Sequence, residues 1–307
     1  MRPGIDPKID YAFKKIFGSV ANIALLRSLL EAVLKLLPGE RIVHLEICNP
    51  FNEKEISDDK LSILDIKVRD QSGRQYNVEM EMAGPRVFPH RAVYYWSRLH
   101  SGQLSEGDDY TKLQPTISIS FVDRVLFPEV PDYHLDFQIR SRKHSDVVFS
   151  SHLEIHIIEL PKFRLQAESL SSPLDKWIYF LIHGGELDTD SLPPSLVDSS
   201  VPKAMEVLKM MTQSELERYR YESRIRAARD QRALIHEAEH SRTEGRAEGR
   251  AEGRAEGLAK GELIGRIHVS QQLLRQELTP KDALLNKSLT ELQTLAAALE
   301  KSLGLTE

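Results

Sequence analysis

The order of hydrophobic and polar positions predicts a chain that mixes helices with strands and then becomes helical. Apolar residues recur every three or four positions in some segments and alternate with polar residues in others. The predicted helices span 6–37, 90–104 and 173–183, and the predicted strands span 41–47, 61–68, 75–82, 115–127, 133–141 and 152–163. From about residue 202 onward the pattern is helical. This mixture indicates an α/β or α+β class rather than a β-sandwich.

The second and third predicted strands are expected to form a hairpin with one acidic face. They flank a turn at residues 70–74, and a hairpin centred there pairs Asp65 with Glu79 and Lys67 with Asn77. Side chains two residues apart share a face of a strand. The polar side chains expected on that face are Asp65, Lys67, Asn77, Glu79 and Glu81. The opposite face is apolar and suits a buried side.

Two chemical interpretations of this acidic face remain open. Mg²⁺ prefers oxygen ligands, and Asp65 and Glu79 on neighbouring strands would supply two carboxylates. Such an ion activates a water molecule and neutralises charge at a phosphorus centre. Alternatively, the hairpin is an ordinary amphipathic one whose acidic face is solvated.

A series of short motifs runs in order through residues 6–183. The motifs are Asp10-x-x-Phe13-Lys14-x-x-Phe17-Gly18, Lys60-x-x-x-Leu64-Asp65-Ile66, Asn77-Val78-Glu79-Met80, Arg91-x-x-Tyr94-Tyr95, Gly107-x-x-Tyr110, Pro115, His134-x-x-Phe137, Glu159-Leu160-x-Lys162-Phe163 and Trp177-x-x-Phe180. Taken together, they resemble the recombination-promoting nuclease and putative transposase family, which is part of the PD-(D/E)XK nuclease superfamily.

This resemblance implies a restriction-endonuclease-like core, a mixed central sheet flanked by helices, over residues 1–195. It also implies metal-dependent hydrolysis of DNA, in recombination or in mobile-element or phage-related processing. The cofactor would be a divalent cation, Mg²⁺ first, with Mn²⁺ or Ca²⁺ as alternatives. Asp65 and Glu79 match the family's metal-binding acids.

Position 81 departs from the pattern that the resemblance implies. The superfamily usually has Lys there and the family usually Gln, but this chain has Glu81. A carboxylate cannot act as a cation that orients water. It would add a metal ligand or mark an altered or lost activity, and Lys67 on the same face would replace the missing lysine.

Further site residues are expected at the border of the hairpin. Asp10 and Lys14 share a helix face, and the resemblance suggests Asp10 as an outer metal ligand and Lys14 or Lys60 as phosphate contacts. The resemblance also suggests that Arg91 and Tyr95, likewise four residues apart, hold a phosphate and orient a carboxylate. In the competing interpretation, the first pair is a surface ion pair and the second belongs to an amphipathic helix that packs on the core.

The remainder of the chain is expected to form an all-helical tail in three parts: a basic and acidic segment at 196–240, a four-residue repeat at 241–262, and short helices at 263–307. Within the first part, residues 218–232 combine arginines with Tyr219 and Tyr221. This composition suits nucleic-acid contact. It also suits a solvated helix face, since acidic residues flank it.

The repeat reads RTEG-RAEG-RAEG-RAEG-LAKG. Glycine costs about 1 kcal/mol per helical position relative to alanine. Like charges recur at i,i+4, which is unfavourable within one helix. The repeat therefore predicts either pairing with a helix of a second copy, which makes the protein a homo-oligomer, or a flexible linker.

Composition narrows the function classes. The net charge of −5 argues against coating nucleic acid by bulk charge, so DNA contact requires a local basic surface. Cys48 is the only cysteine, which excludes an intramolecular disulfide and a cysteine zinc site. No apolar run approaches the roughly 20 residues of a membrane span, so a cytoplasmic protein without membrane contact is expected. His134, His152 and His156 lack metal-ligand spacing and are expected to be structural.

Two rival functions remain. One is a catalytically weakened nuclease fold that only binds DNA, and Glu81 suggests it. The other is an oligomeric interaction or scaffold protein, which the repeat and the acidic net charge suggest.

Overall fold

The computed structural model describes residues 1–36, 41–49, 66–82 and 88–304. The chain divides into two compact units, Met1–Arg232 and Ala233–Glu307. The sheet and the helices packed on it belong to the first unit.

The first unit is built on a mixed sheet. Within the described residues it has six strands in the order β1-β2-β3-β4-β6-β5. Their bounds are β1 Leu45–Ile47, β2 Ile66–Asp70, β3 Gln75–Glu81, β4 Thr116–Val122, β5 His134–Arg140 and β6 Val148–Glu159. The pairs β3–β4 and β4–β6 are parallel, and the others are antiparallel. This mixed sheet with flanking helices confirms the predicted fold class.

The turn between β2 and β3 sets the register of the predicted hairpin. Asp70 accepts hydrogen bonds from the Ser72 N–H and Oγ, from Arg74 and from the Tyr76 hydroxyl. Burial raises the pKa of Asp70, but these donors outweigh burial and lower the pKa below its ordinary value. Gly73 takes the left-handed conformation at φ 85° that the tight turn requires.

The helices of the first unit differ from the prediction mainly at the N-terminus. Their bounds are α1 Asp10–Phe17, α2 Ile23–Leu34, α3 Phe88–Ser101, α4 Pro173–His183, α5 Pro194–Val197, α6 Val201–Gln213 and α7 Glu215–Leu273, the last continuing into the second unit. The single helix predicted over 6–37 is wrong, because α1 ends at Phe17 and α2 begins at Ile23. A Cβ on Gly18 would lie 2.8 Å from Cγ of Lys14 and 3.4 Å from Cγ1 of Ile66.

The two faces of the sheet are covered differently. Helices α1, α2, α4 and α6 share one hydrophobic core with the β2, β3 and β4 side chains of the first face. On the second face, Phe88 and Ala92 of α3 form a smaller cluster with Val122, Ile155 and Ile157. The predicted boundary at residue 195 stays a prediction, although α6 contributes to the same core as α1.

The second unit has a small hydrophobic core of its own. Helices α8 (Lys281–Leu285) and α9 (Leu289–Ser302) follow α7. Leu263, Ile264 and Ile267 of α7 pack with Leu284 and with leucines of α9. The RAEG repeat is helical and solvent-exposed.

No single described helix is both long and apolar enough to cross a membrane. The pair Asp10–Phe17 and Val20–Leu34, bent by 64°, meets the length and composition criteria only when both are taken together.

Candidate active site

The polar face of β3 is buried rather than solvated. Lys67 lies opposite Asn77 in the β2–β3 pair, as the sequence predicts, and Val78 lies opposite Ile66. The parallel neighbour β4 places Ser118 beside Asn77 and Ser120 beside Glu79. These four β3 and β4 side chains are all nearly inaccessible: Asn77 3%, Glu79 5%, Ser118 1% and Ser120 0% exposed.

Glu79 is fixed by its neighbour on β4. The Ser120 hydroxyl donates a hydrogen bond of 2.8 Å to Oε1 of Glu79. Burying a carboxylate is costly unless its oxygens are hydrogen-bonded or bound to a cation. The serine therefore holds the carboxylate in one orientation on a rigid strand.

Two further polar atoms on this face have unused hydrogen-bonding capacity. Oδ1 of Asn77 and Oγ of Ser118 are buried and accept or donate no hydrogen bond within the described residues. Buried polar atoms nearly always have a partner. Both atoms lie beside Glu79, which fits a site that receives a polar group or an ion. Their oxygens and those of the carboxylate are the ligands that a hard divalent cation prefers.

Asp65 and Lys60 lie outside the described residues. The described chain begins again at Ile66, to which Asp65 is bonded. Among the described residues, no three His, Cys, Asp or Glu side chains form a possible metal site.

Glu81 forms an ion pair with Arg91 of α3. The Glu81 side chain is 12% exposed and that of Arg91 is 25% exposed, so the pair is largely removed from solvent. Arg91 and Arg124 both lie near the ring of Phe88, at 5.8 and 5.4 Å from its centroid. Arg91 therefore neutralises the carboxylate of Glu81 at the third motif position, and the pair has the same net charge as a glutamine there.

Helix α3 is anchored over this face by polar contacts. Nε1 of Trp96 donates to the carbonyl of Thr116 at 2.8 Å, and His100 bonds Oγ1 of the same threonine at 2.9 Å. Tyr95 is half-buried and its ring lies edge-on to Tyr94 at 5.6 Å. The anchoring fixes the position from which Arg91 reaches Glu81.

Asp10 and Lys14 lie on α1, on the other side of the sheet. Arg224 lies 3.9 Å from Asp10. Burial raises the pKa of Asp10, while Arg224, the Tyr11 N–H and Lys14 oppose the rise. Lys14 is 7% exposed, and its Cγ lies close to Gly18.

The first turns of α7 also pack on α1. The Tyr11 hydroxyl donates to Glu217 at 2.9 Å, and Lys15 donates to the same carboxylate at 3.2 Å. Tyr221 is buried and Tyr219 is exposed. The first part of α7 thus uses several of its charged and aromatic residues for packing.

The Glu159-Leu160-x-Lys162 motif has a structural role. Oε1 of Glu159 accepts hydrogen bonds from the N–H groups of Leu126 and Phe127 at 2.7 and 2.9 Å. Lys162 forms an ion pair with Glu159 and donates to the Phe127 carbonyl at 2.8 Å. The motif therefore clamps the loop that follows β4 and carries Arg124.

Sequence reasoning missed two residues of this site, Ser120 and Arg124. The Thr-Ile-Ser-Ile-Ser pattern at 116–120 shows hydroxyls alternating with isoleucine, which was a signal for a polar face. Nothing local showed that this strand would lie beside β3. Arg124 follows β4 and carries no motif of its own.

His134 and His156 belong to a hydrogen-bonded chain away from this face. Nε2 of His134 and Nδ1 of His156 are 2.9 Å apart, and Nε2 of His156 bonds Glu154 at 2.9 Å. Burial and the neighbouring His156 lower the pKa of His134 to about 4.

Comparison with known proteins gives one finding. Residues 7–238, more than half of the chain, match the family model of the PD-(D/E)XK nuclease family transposases. No curated protein and no solved structure matches the chain. The match includes all of the described site on β3, β4 and α3.

Proposed function

Because the chain belongs to the PD-(D/E)XK nuclease family transposases, we propose that it is a metal-dependent DNA endonuclease. Its cleavage of phosphodiester bonds would promote recombination or process mobile-element or phage-related DNA. The substrate class follows from the family, since its nucleases act on DNA.

The observation that carries the proposal is the buried carboxylate of Glu79. It is hydrogen-bonded to Ser120 and lies beside the unused polar atoms of Asn77 and Ser118. These buried polar side chains do not stabilise the fold, because buried polar groups without hydrogen-bond partners cost free energy. A role in binding an ion or a substrate group accounts for it.

In this proposal Asp65 and Glu79 hold the divalent cation, with Mg²⁺ expected first. When bound, such an ion activates water and neutralises charge on the phosphate. Ser120 orients Glu79, and Arg91 cancels the charge of Glu81 so that no additional anion repels the DNA.

The remaining candidates would contact the DNA backbone or an outer shell of the site. Lys14 as a phosphate contact stays a prediction, although α1 packs on the sheet face opposite Glu79. Lys67 on β2 is proposed to replace the lysine that the superfamily usually has at position 81, and Lys60 to contact a phosphate. Asp10 as an outer ligand and Tyr95 as an orienting group stay predictions.

The proposal is tested with Asp65→Asn and Glu79→Gln in the full-length protein. We expect both variants to lose Mg²⁺- and Mn²⁺-dependent cleavage of a DNA duplex, with weaker Mn²⁺ binding by calorimetry. Glu106→Gln, an exposed glutamate with the same change of charge, is the matched control. Undiminished cleavage by folded Glu79→Gln would contradict the site.

A second candidate function is DNA binding without cleavage, which the unusual Glu81 favours. Binding of a duplex in EDTA, combined with no cleavage by the wild type in Mg²⁺, Mn²⁺ or Ca²⁺, would support it over the nuclease.

We also propose that the repeat helix of α7 joins copies of this chain. A Cβ at Gly245, Gly249, Gly253 or Gly257 would meet no atom within 4 Å, so this glycine stripe packs on nothing in the described part of the chain. Arg and Glu stripes flank the glycines and would pair across two helices that approach closely.

A further inference from the structure

The β5–β6 hairpin extends beyond the rest of the sheet. Strand β4 pairs with β6 only from Leu153 to Glu159, whereas β6 begins at Val148. We name residues 139–150, which lie beyond the last residue of β6 paired with β4, the arm. Every arm residue from 139 to 149 except Ser141 is exposed, so neither side of this ribbon is covered.

The arm exposes apolar side chains that do not contribute to the stability of the ribbon. Phe149 is 82% exposed and Val147 is 57% exposed. A two-stranded hairpin that packs on nothing is marginal in water. Exposed apolar residues that are clustered and rimmed by polar ones mark interaction sites.

The tip of the arm is basic although the whole chain is acidic. Arg140, Arg142 and Lys143 stand against the single carboxylate of Asp146, in a chain with a net charge of −5. Arg140 bonds the Ser145 carbonyl and Gln138, which stiffens the ribbon. Arg142 and Lys143 make no hydrogen bond or ion pair with the described part of the chain.

We propose that the arm lies in a groove of the DNA duplex on which the active site acts, with Arg142 and Lys143 on phosphates and Phe149 on apolar base edges. A two-stranded ribbon fits the major groove, which is about 12 Å wide. A second copy of the chain fits less well, because like charges would meet where two arm tips join. This inference rests on the proposed nuclease function, since it places that enzyme's substrate.

The dimensions of the sheet suit this placement. Ile157 of β6 lies opposite Ser120, which bonds Glu79. From Ile157 to Val148 is nine residues along one strand, at most about 30 Å at 3.3 Å per residue. One turn of duplex DNA is about 34 Å. The arm would therefore hold the duplex about one helical turn from the scissile bond.

The test is the affinity of the full-length protein for a 30-base-pair duplex, measured by fluorescence anisotropy in EDTA from about 50 to 200 mM salt. Arg142→Ser/Lys143→Ser should make the negative slope of log affinity against log salt shallower by about 1.8, and should weaken binding at low salt roughly tenfold. Phe149→Ser should weaken binding without changing the slope. Lys176→Ser/Lys203→Ser, on helices of the opposite sheet face, removes the same charge and should change neither value.

An unchanged affinity and slope for the arm double variant, with wild-type protein that binds and cleaves DNA, overturns the inference and leaves the proposed function intact. A Phe149→Ser variant that binds DNA normally but has a lower molar mass by light scattering also overturns it, since the arm then contacts a second copy. Wild-type protein that neither binds nor cleaves DNA contradicts the proposed function itself.

Discussion

The Glu81–Arg91 ion pair is the most informative feature to perturb, because it occupies the third motif position that the sequence predicts. We propose a double-mutant cycle of Glu81→Gln, Arg91→Gln and the combined variant. The pair has side chains 12% and 25% exposed, so it lies between a surface pair and a buried one. Nε of Arg91 is buried and without a hydrogen-bond acceptor in the described structure, which increases the cost of leaving this cation unpaired.

Surface pairs contribute about 0–1 kcal/mol, and breaking a buried pair costs about 3–5 kcal/mol. We therefore expect each single substitution to lower the free energy of unfolding by about 2 kcal/mol. For a unit of this size that lowers the Tm by about 4–8 °C. The double variant should lose less than the sum of the two, because it leaves no unpaired charge.

The two single variants should differ in activity. Glu81→Gln removes an anion and leaves the cation of Arg91 beside the DNA, so cleavage is retained or rises. Arg91→Gln leaves Glu81 unneutralised, so duplex affinity and cleavage fall. Thermal unfolding and cleavage assays with Glu106→Gln and Arg164→Gln as matched surface controls measure these effects. Losses of the single variants that add to within about 0.5 kcal/mol would show that the pair is not coupled.

Three further predictions follow from the structure. Ser120→Ala should lower kcat more than KM, because Glu79 loses its orienting hydrogen bond of 2.8 Å, and an equal activity of Ser120→Ala and wild type would refute the role. The folded protein should lose stability as the pH falls from 6.5 to about 4, because the pKa of His134 is lowered to about 4 in the folded state and the unfolded chain therefore binds the proton first. The groups that face His134 are His156, Glu154, Asp136 and Lys35. His134→Gln should flatten this part of the pH profile of urea unfolding, and an unchanged profile counts against the prediction. Truncation after residue 232 should leave a folded first unit of lower oligomeric state. Truncation after residue 200 should unfold this unit, because it removes Met205, Leu208 and other buried residues of α6. Circular dichroism measures the folding and light scattering the oligomeric state, and a monomeric full-length protein would contradict the predicted oligomer.

The sequence by itself determined much of the local structure. Alternation on both sides of the 70–74 turn gave the register that pairs Lys67 with Asn77, and helix α4 has the predicted bounds of 173–183. These features depend on neighbours a few residues apart, which periodicity and turn chemistry report directly. The ordered motifs also identified the family, which the match over residues 7–238 confirms.

Only the tertiary structure decided which side chains meet across elements. Strand order places Ser120 beside Glu79, although 41 residues separate them in the chain. The packing of α3 brings Arg91 to Glu81, and α7 brings Arg224 to Asp10. Gly18 caps α1 within a stretch whose apolar pattern continues, and a Cβ there would lie 2.8 Å from the Lys14 carbonyl oxygen. Hydrophobic periodicity shows which face of an element is buried but not against what, so these partners depend on how the elements pack.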